Sequence, residues 1–200
     1  MKVLGINGSP RARGNTGRLL AEILHGVSDA GAEVSAVNLS EYTIEGCVGC
    51  ERCRRDLTCT RRNDGMTLLY PRIVEADALV LGSPVYHYNV TSLMKAFIDR
   101  LYAFYDFTDD RPRGYSSRLA DRPRKAVVFA VGEQADPADL GVALEALSLP
   151  LRPLGYEVVA ELPVLNCFEP GVVGKKEGVL EQAYRCGRDL AAGLSGTMVL

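Results

Sequence analysis

Apolar positions along this chain alternate between two patterns. Short apolar runs within Lys2 to Asn7, Ala78 to Leu81 and Lys125 to Val131 read as strands buried on both faces of a sheet. Between them, apolar residues recur at helical spacing. One stripe is Leu19, Leu20, Ile23, Leu24 and Val27; another is Leu93, Ala96, Phe97, Leu101 and Phe104, capped at Thr91 or Ser92, with Lys95 and Asp99 on its polar side. Further strands are expected at Glu33 to Leu39 and Tyr156 to Val164. Further helices are expected from Asp64, over Ala138 to Leu149 and over Glu177 to Leu194.

Strands alternating with helices predict right-handed βαβ units and a parallel sheet covered on both faces. Five such strands favour a three-layer, doubly wound α/β fold of flavodoxin-like order 2-1-3-4-5, as a single domain over residues 1–200. Residues 106–124, rich in Arg, Asp and Pro, break the alternation. They read either as a lid or interface arm, or as a solvated connector.

Composition narrows the class. With 47% hydrophobic and 24% charged residues and a formal net charge of -2, no global field points to nucleic acid or to a membrane surface. No apolar run approaches the roughly 20 residues of a spanning helix. Met1 to Ile6 enters a core strand without the features of an export signal, so a cytoplasmic location is expected. In such a reducing compartment six cysteines argue for metal or redox chemistry rather than disulfides.

Two loops carry candidate chemistry. The first, Gly8 to Thr16, joins a strand's carboxyl end to a helix start, where free N–H groups and the helix dipole favour a phosphate dianion. Ser9, Asn15 and Thr16 are its natural donors. Its glycines are spaced wrongly for a dinucleotide fingerprint, and no G-K-[ST] closes it as in a P-loop. The second, Gly82 to Asn89, follows the third strand and precedes Lys95-Ala96-Phe97-Ile98-Asp99-Arg100.

Together these segments resemble the NADPH-dependent FMN reductase family and its flavodoxin-like relatives, through G-S-x-R-x-x-x-N-T in the first loop and S-P-x-Y…K-x-F-I-D-R in the second. The resemblance implies FMN. Ser9, Arg11, Asn15 and Thr16 would hold its phosphate. Pro84, Val85, Tyr86 and Asn89 would line the isoalloxazine, with backbone N–H groups offered to its polar edge. Gly132, after the fourth strand, matches the third cofactor loop by position. His87 could touch flavin or substrate but equally suits an ordinary exposed residue. Asp99 and Arg100 read as ion-pair formers rather than acid and base.

Cys47, Cys50, Cys53 and Cys59 form C-x2-C-x2-C-x5-C in a Cys-rich loop at 45–63. Four thiolates so spaced can hold one [4Fe–4S] cluster; redox-active free thiols and zinc are the other readings. The spacing resembles iron-sulfur flavoproteins, which join one such cluster to the same FMN fold and assemble as dimers or larger oligomers. Arg52, Arg54, Arg55, Arg61 and Arg62 crowd the loop and would offset the cluster's negative charge, or simply form a solvated basic surface. Cys167 and Cys186 stand apart and read as structural thiols.

Three functions follow. The first is a cytoplasmic flavin-dependent oxidoreductase, a homodimer or homotetramer. It would pass electrons from a reduced ferredoxin-like protein or NAD(P)H, through FMN and the cluster, to a small acceptor such as a quinone or an oxygen species. The second is a cluster-free NAD(P)H-dependent FMN or quinone reductase. The third is a non-catalytic redox-sensing module.

Overall fold

In the computed structural model residues 1–194 are described; residues 195–200 of the expected single-domain span lie outside the described residues. The sheet consists of β1 (Lys2–Asn7), β2 (Glu33–Asn38), β3 (Ala78–Pro84), β6 (Arg124–Val131) and β7 (Tyr156–Val164). All its neighbours are parallel, in the order β2-β1-β3-β6-β7. The remaining strands, β4 (Tyr105–Phe107) and β5 (Tyr115–Ser117), form a separate antiparallel hairpin. Numbered within the sheet alone, the order is the expected 2-1-3-4-5.

Burial follows position in the sheet. The central strands β1, β3 and β6 are almost wholly buried, whereas edge strand β7 alternates between covered and exposed residues. Successive residues point to opposite faces, which separates two cores. Val3, Val80, Val127 and Phe129 meet α1 (Asn15–Asp29) and α6 (Val179–Leu194). Leu4, Ile6, Leu79 and Val128 meet α3 (Gly65–Glu75), α4 (Ser92–Arg100) and α5 (Ala143–Ser148). Among the described residues no helix is long and apolar enough to cross a membrane.

Three elements depart from the sequence reading. Strand β3 runs on to Pro84, because the backbone stays in register with β6 as far as Val131. The helix expected over Ala138 to Leu149 is split into a 3-10 turn at Pro137–Leu140 and the short α5. Gly141, at φ 55°, makes the break: a Cβ there would collide with the backbone of Tyr88, whose carbonyl accepts from Val142 N at 2.9 Å. Within and just before the polar stretch 106–124 the chain forms a hairpin that brings aromatic residues together. Tyr102 stacks on Phe107 at 5.1 Å, and Tyr105 meets Tyr115 edge-on at 5.5 Å.

Candidate functional site

The loop after β1 is shaped by its own polar side chains. Asn7 Oδ1 accepts from Ser9 N at 3.0 Å, and Asn7 Nδ2 donates to Asn38 on the neighbouring strand at 3.0 Å. Ser9 Oγ accepts from Arg11 N at 3.1 Å, curling the chain into the start of α1. Thr91 ties this loop to the next, donating to Gly8 O at 2.6 Å while capping α4 at Met94 N.

The start of helix α1 suits an outside anion. Helices α3 and α4 carry side-chain caps from Asp64 and Thr91, but α1 begins at Gly14 with no side-chain cap and no acidic residue in its first turn. Its leading N–H groups therefore face a cavity of about 190 Å³ with an uncompensated dipole. Ser9, Arg11, Asn15 and Thr16 all line that cavity, and Pro84, Val85 and Tyr86 close it from the second loop. An anion bearing an aromatic ring fits this donor set.

The geometry divides the roles of these residues. Asn15 lines the cavity, but its side chain is committed elsewhere: Nδ2 donates to Cys167 O at 3.2 Å and Glu169 O at 2.9 Å, and Oδ1 accepts from Val173 N at 3.3 Å. The side chain thus clamps the segment after β7 onto the helix start. The N–H groups of Val85 and Tyr86, expected to face the ring, are bonded to Val131 O and Asn89 O at 2.9 and 2.8 Å. Exposed His87 and Tyr88, at φ 48° and 61°, form the tip of that turn, and no bond among the described residues uses their N–H groups. Asn89 and Gly132 close turns outside the cavity wall: Asn89 accepts from Val90 N at 2.8 Å, and Gly132 donates to Val164 O at 2.8 Å.

Sequence reasoning missed the fourth wall. Cys167, Phe168 and Pro170 line the same cavity, and Phe168 is exposed there. The signal was available, because the carboxyl end of the fifth strand must share an edge with the other loops. Cys186 is different: it lies in neither site, and burial pushes its thiol up to about 11, a neutral structural group.

The four cysteines are not gathered around a point. Among the described residues no three Cys, His, Asp or Glu stand close enough to grip a single metal ion. Cys47, Cys50, Cys53 and Cys59 all line one cavity of about 410 Å³. The loop bends around it through Gly49, Glu51 and Leu57, all at φ between 56° and 64°. Left-handed backbone at the two non-glycine positions costs of order 1–3 kcal/mol each and persists where surroundings impose it. Burial, then the neighbouring Cys59, Cys47 and Cys50, hold the Cys53 thiol above its ordinary value. Arg52, Arg61 and Arg62 lie on the same wall, where their charge would relieve four thiolates.

A buried ion pair closes the loop at its base. Arg100 Nη1 donates to Glu45 O at 2.8 Å and Asp64 Oδ2 at 2.7 Å, while Nη2 donates to Asp64 Oδ1 at 3.2 Å. Asp64 also accepts from Glu45 N at 3.0 Å, and Arg62 reaches the Glu45 carboxylate at 2.6 Å. Residues on either side of the four cysteines are thereby fixed to α4. From outside, the hairpin braces the loop: Arg54, on the short α2 (Cys53–Asp56), lies 5.5 Å over the Phe107 ring, and Arg113 pairs with Glu51 at 3.5 Å.

The sequence model described as NADPH-dependent FMN reductase matches residues 1–140. The chain is 42% identical over 192 residues to an iron-sulfur flavoprotein of Archaeoglobus fulgidus, covering 96% of this chain and 79% of that one. It is 38% identical over 100 residues to another from Methanocaldococcus jannaschii, spanning about half of each. A solved flavone reductase superposes with a TM-score of 0.73 at 18% identity, over 98% of this chain and 63% of that chain, and so speaks for the fold.

Proposed function

The chain belongs to the NADPH-dependent FMN reductase family, among its iron-sulfur flavoproteins, and is a flavin-dependent oxidoreductase; from that footing we propose that it joins FMN to one [4Fe–4S] cluster held by Cys47, Cys50, Cys53 and Cys59. The observation that supports the reading is that Cys47, Cys50, Cys53 and Cys59 all line one cavity. When bound, FMN supplies one- and two-electron chemistry and the cluster single-electron transfer.

The protein's own part is binding and electrostatics. Ser9, Thr16 and the uncapped start of α1 receive the phosphate, Arg11 adds charge, and Pro84, Val85 and Tyr86 wall the ring. The donor is a reduced ferredoxin-like protein or NAD(P)H, and the acceptor a small molecule such as a quinone. The protein acts in the cytoplasm as a homodimer or homotetramer. Exposed Val142 and Leu149 beside an apolar groove of about 650 Å³ between α4 and α5 support such assembly.

Protein purified without oxygen is expected to contain FMN and about four iron and four sulfide per chain. Cys53→Ala should remove the iron and leave the flavin. FMN without iron in anaerobic material would reject the cluster and leave a flavin reductase working alone.

Asn15→Ala is expected to weaken FMN binding about tenfold, the effect of losing roughly 1.4 kcal/mol when the segment 167–173 is released from the cavity. Quenching of flavin fluorescence on titration measures it. Unchanged affinity would mean that this segment plays no part in holding the flavin.

A further inference from the structure

Phe168 is 63% exposed, belongs to neither core, and makes no ring contact among the described residues. A single exposed apolar side chain is ordinary on a loose loop. The chain beneath this one is held firmly. Asn15 Nδ2 donates to the carbonyls on both sides of it, Cys167 O at 3.2 Å and Glu169 O at 2.9 Å. Cys167 N donates to Gly132 O at 2.9 Å, and Asn166 N to Gln134 O at 3.0 Å. Asn15 is itself 7% exposed, so a buried amide fixes the backbone under an exposed ring that no packing contact in the cores requires.

The place where that ring is fixed is the cavity at the start of α1, which Phe168 lines together with Tyr86, 49% exposed. At about 190 Å³ the cavity is smaller than the roughly 300 Å³ at the low end for pockets that enclose a small molecule. FMN seated with its phosphate at α1 therefore extends beyond the cavity and across its mouth, where the exposed lining residues stand. Much of the flavin is planar and apolar. A phenyl ring whose backbone is already fixed gains by packing against such a surface and has little freedom left to lose.

We propose that Phe168 is a flavin-contacting residue, its ring packing against the part of FMN beyond the phosphate and shielding it from water. The inference rests on the FMN reading above. It gives the segment after β7, which lies outside the three loops expected from the sequence, a direct part in binding, and it makes Asn15 the residue that positions that ring.

The test uses the whole protein, purified anaerobically, freed of flavin, and carrying 4-fluorophenylalanine at its five Phe positions. Phe168→Leu identifies the fluorine resonance of residue 168 by its loss. Added FMN is expected to move that resonance and to remove its sensitivity to replacing H2O by D2O. Saturating inorganic phosphate, which fills only the start of α1, should do neither. In unlabelled protein Phe168→Ala should weaken FMN binding about tenfold, the equivalent of roughly 1.4 kcal/mol, as measured by flavin fluorescence. Competition by inorganic phosphate should stay within about twofold of the parent, and Phe168→Tyr should restore the affinity for FMN. Bound FMN with the residue 168 resonance unmoved and still sensitive to D2O overturns the proposal, however the alanine variant behaves. A Phe168→Ala protein that binds FMN as tightly as the parent also overturns it, and leaves the FMN reading intact. An equal loss of phosphate affinity counts against the contact, because the damage would then lie at the phosphate site. Failure of the unaltered protein to bind FMN overturns both.

Discussion

Asp64→Ala is expected to destabilise the folded chain by about 3–5 kcal/mol, the usual cost of removing one partner from a buried ion pair. The side chains of Asp64 and Arg100 are 7% and 2% exposed, so the stranded guanidinium could not recover its hydration. The same substitution removes the cap at Met66 N and the bond to Glu45 N. Urea midpoints at neutral pH would measure the loss. The double variant Asp64→Ala/Arg100→Met should recover much of it, because the buried charge goes with its partner. A single-variant loss below about 1 kcal/mol would show that the pair behaves like a surface contact.

The pair also sets a pH dependence. Burial alone would raise the Asp64 carboxyl, but Arg100 and the two backbone N–H groups outweigh it and hold it below the ordinary 3.8. A depressed folded value means that the stability is fully present above the ordinary value and is lost as pH falls through the lower one. Acid titration of the fold should therefore show a component between those limits that is missing from Asp64→Ala.

The second large effect is expected at the contact of α1 with α6. A Cβ on Gly187 would collide with Ile23 O and lie 3.0 Å from Val27 N; one on Gly26 would collide with Tyr184 O. Backbone thus meets backbone in both directions, and backbone cannot move aside as a flexible side chain does. Gly187→Ala gains about 1 kcal/mol of helix propensity. It should nonetheless lose about 3 kcal/mol overall, the upper part of the usual overpacking range. Gly174→Ala, where a Cβ meets nothing within 4 Å, is the control and should stay within about 0.5 kcal/mol of the parent. Equal midpoints for the two variants would mean that the helices separate at little cost.

The legible features share a cause. A strand covered on both faces needs an unbroken apolar run, and a helix covered on one face needs the 3.6-residue stripe, so burial is written locally in the order of residues. Leu19 to Val27 and Ala126 to Val131 were therefore readable as elements, and their alternation gave the sheet order. Gly141 was not readable as a helix break, because the Tyr88 carbonyl that docks there comes from another loop. The hairpin at 105–117 was hidden for a similar reason: its strands are three residues each and show no period.

The sequence by itself determined the alternation of strands and helices, the two loops at strand ends and the spacing of the four cysteines, since each is a property of neighbours along the chain. Only the tertiary structure decided that Asn15 turns its amide to Cys167, 152 residues away, and that Arg100 clasps Asp64 rather than standing with Asp99 on its own helix. Residue types state which bonds a side chain can make. Which partner is within 3 Å depends on how distant segments are brought together, and burial, by excluding water, makes that one partner count.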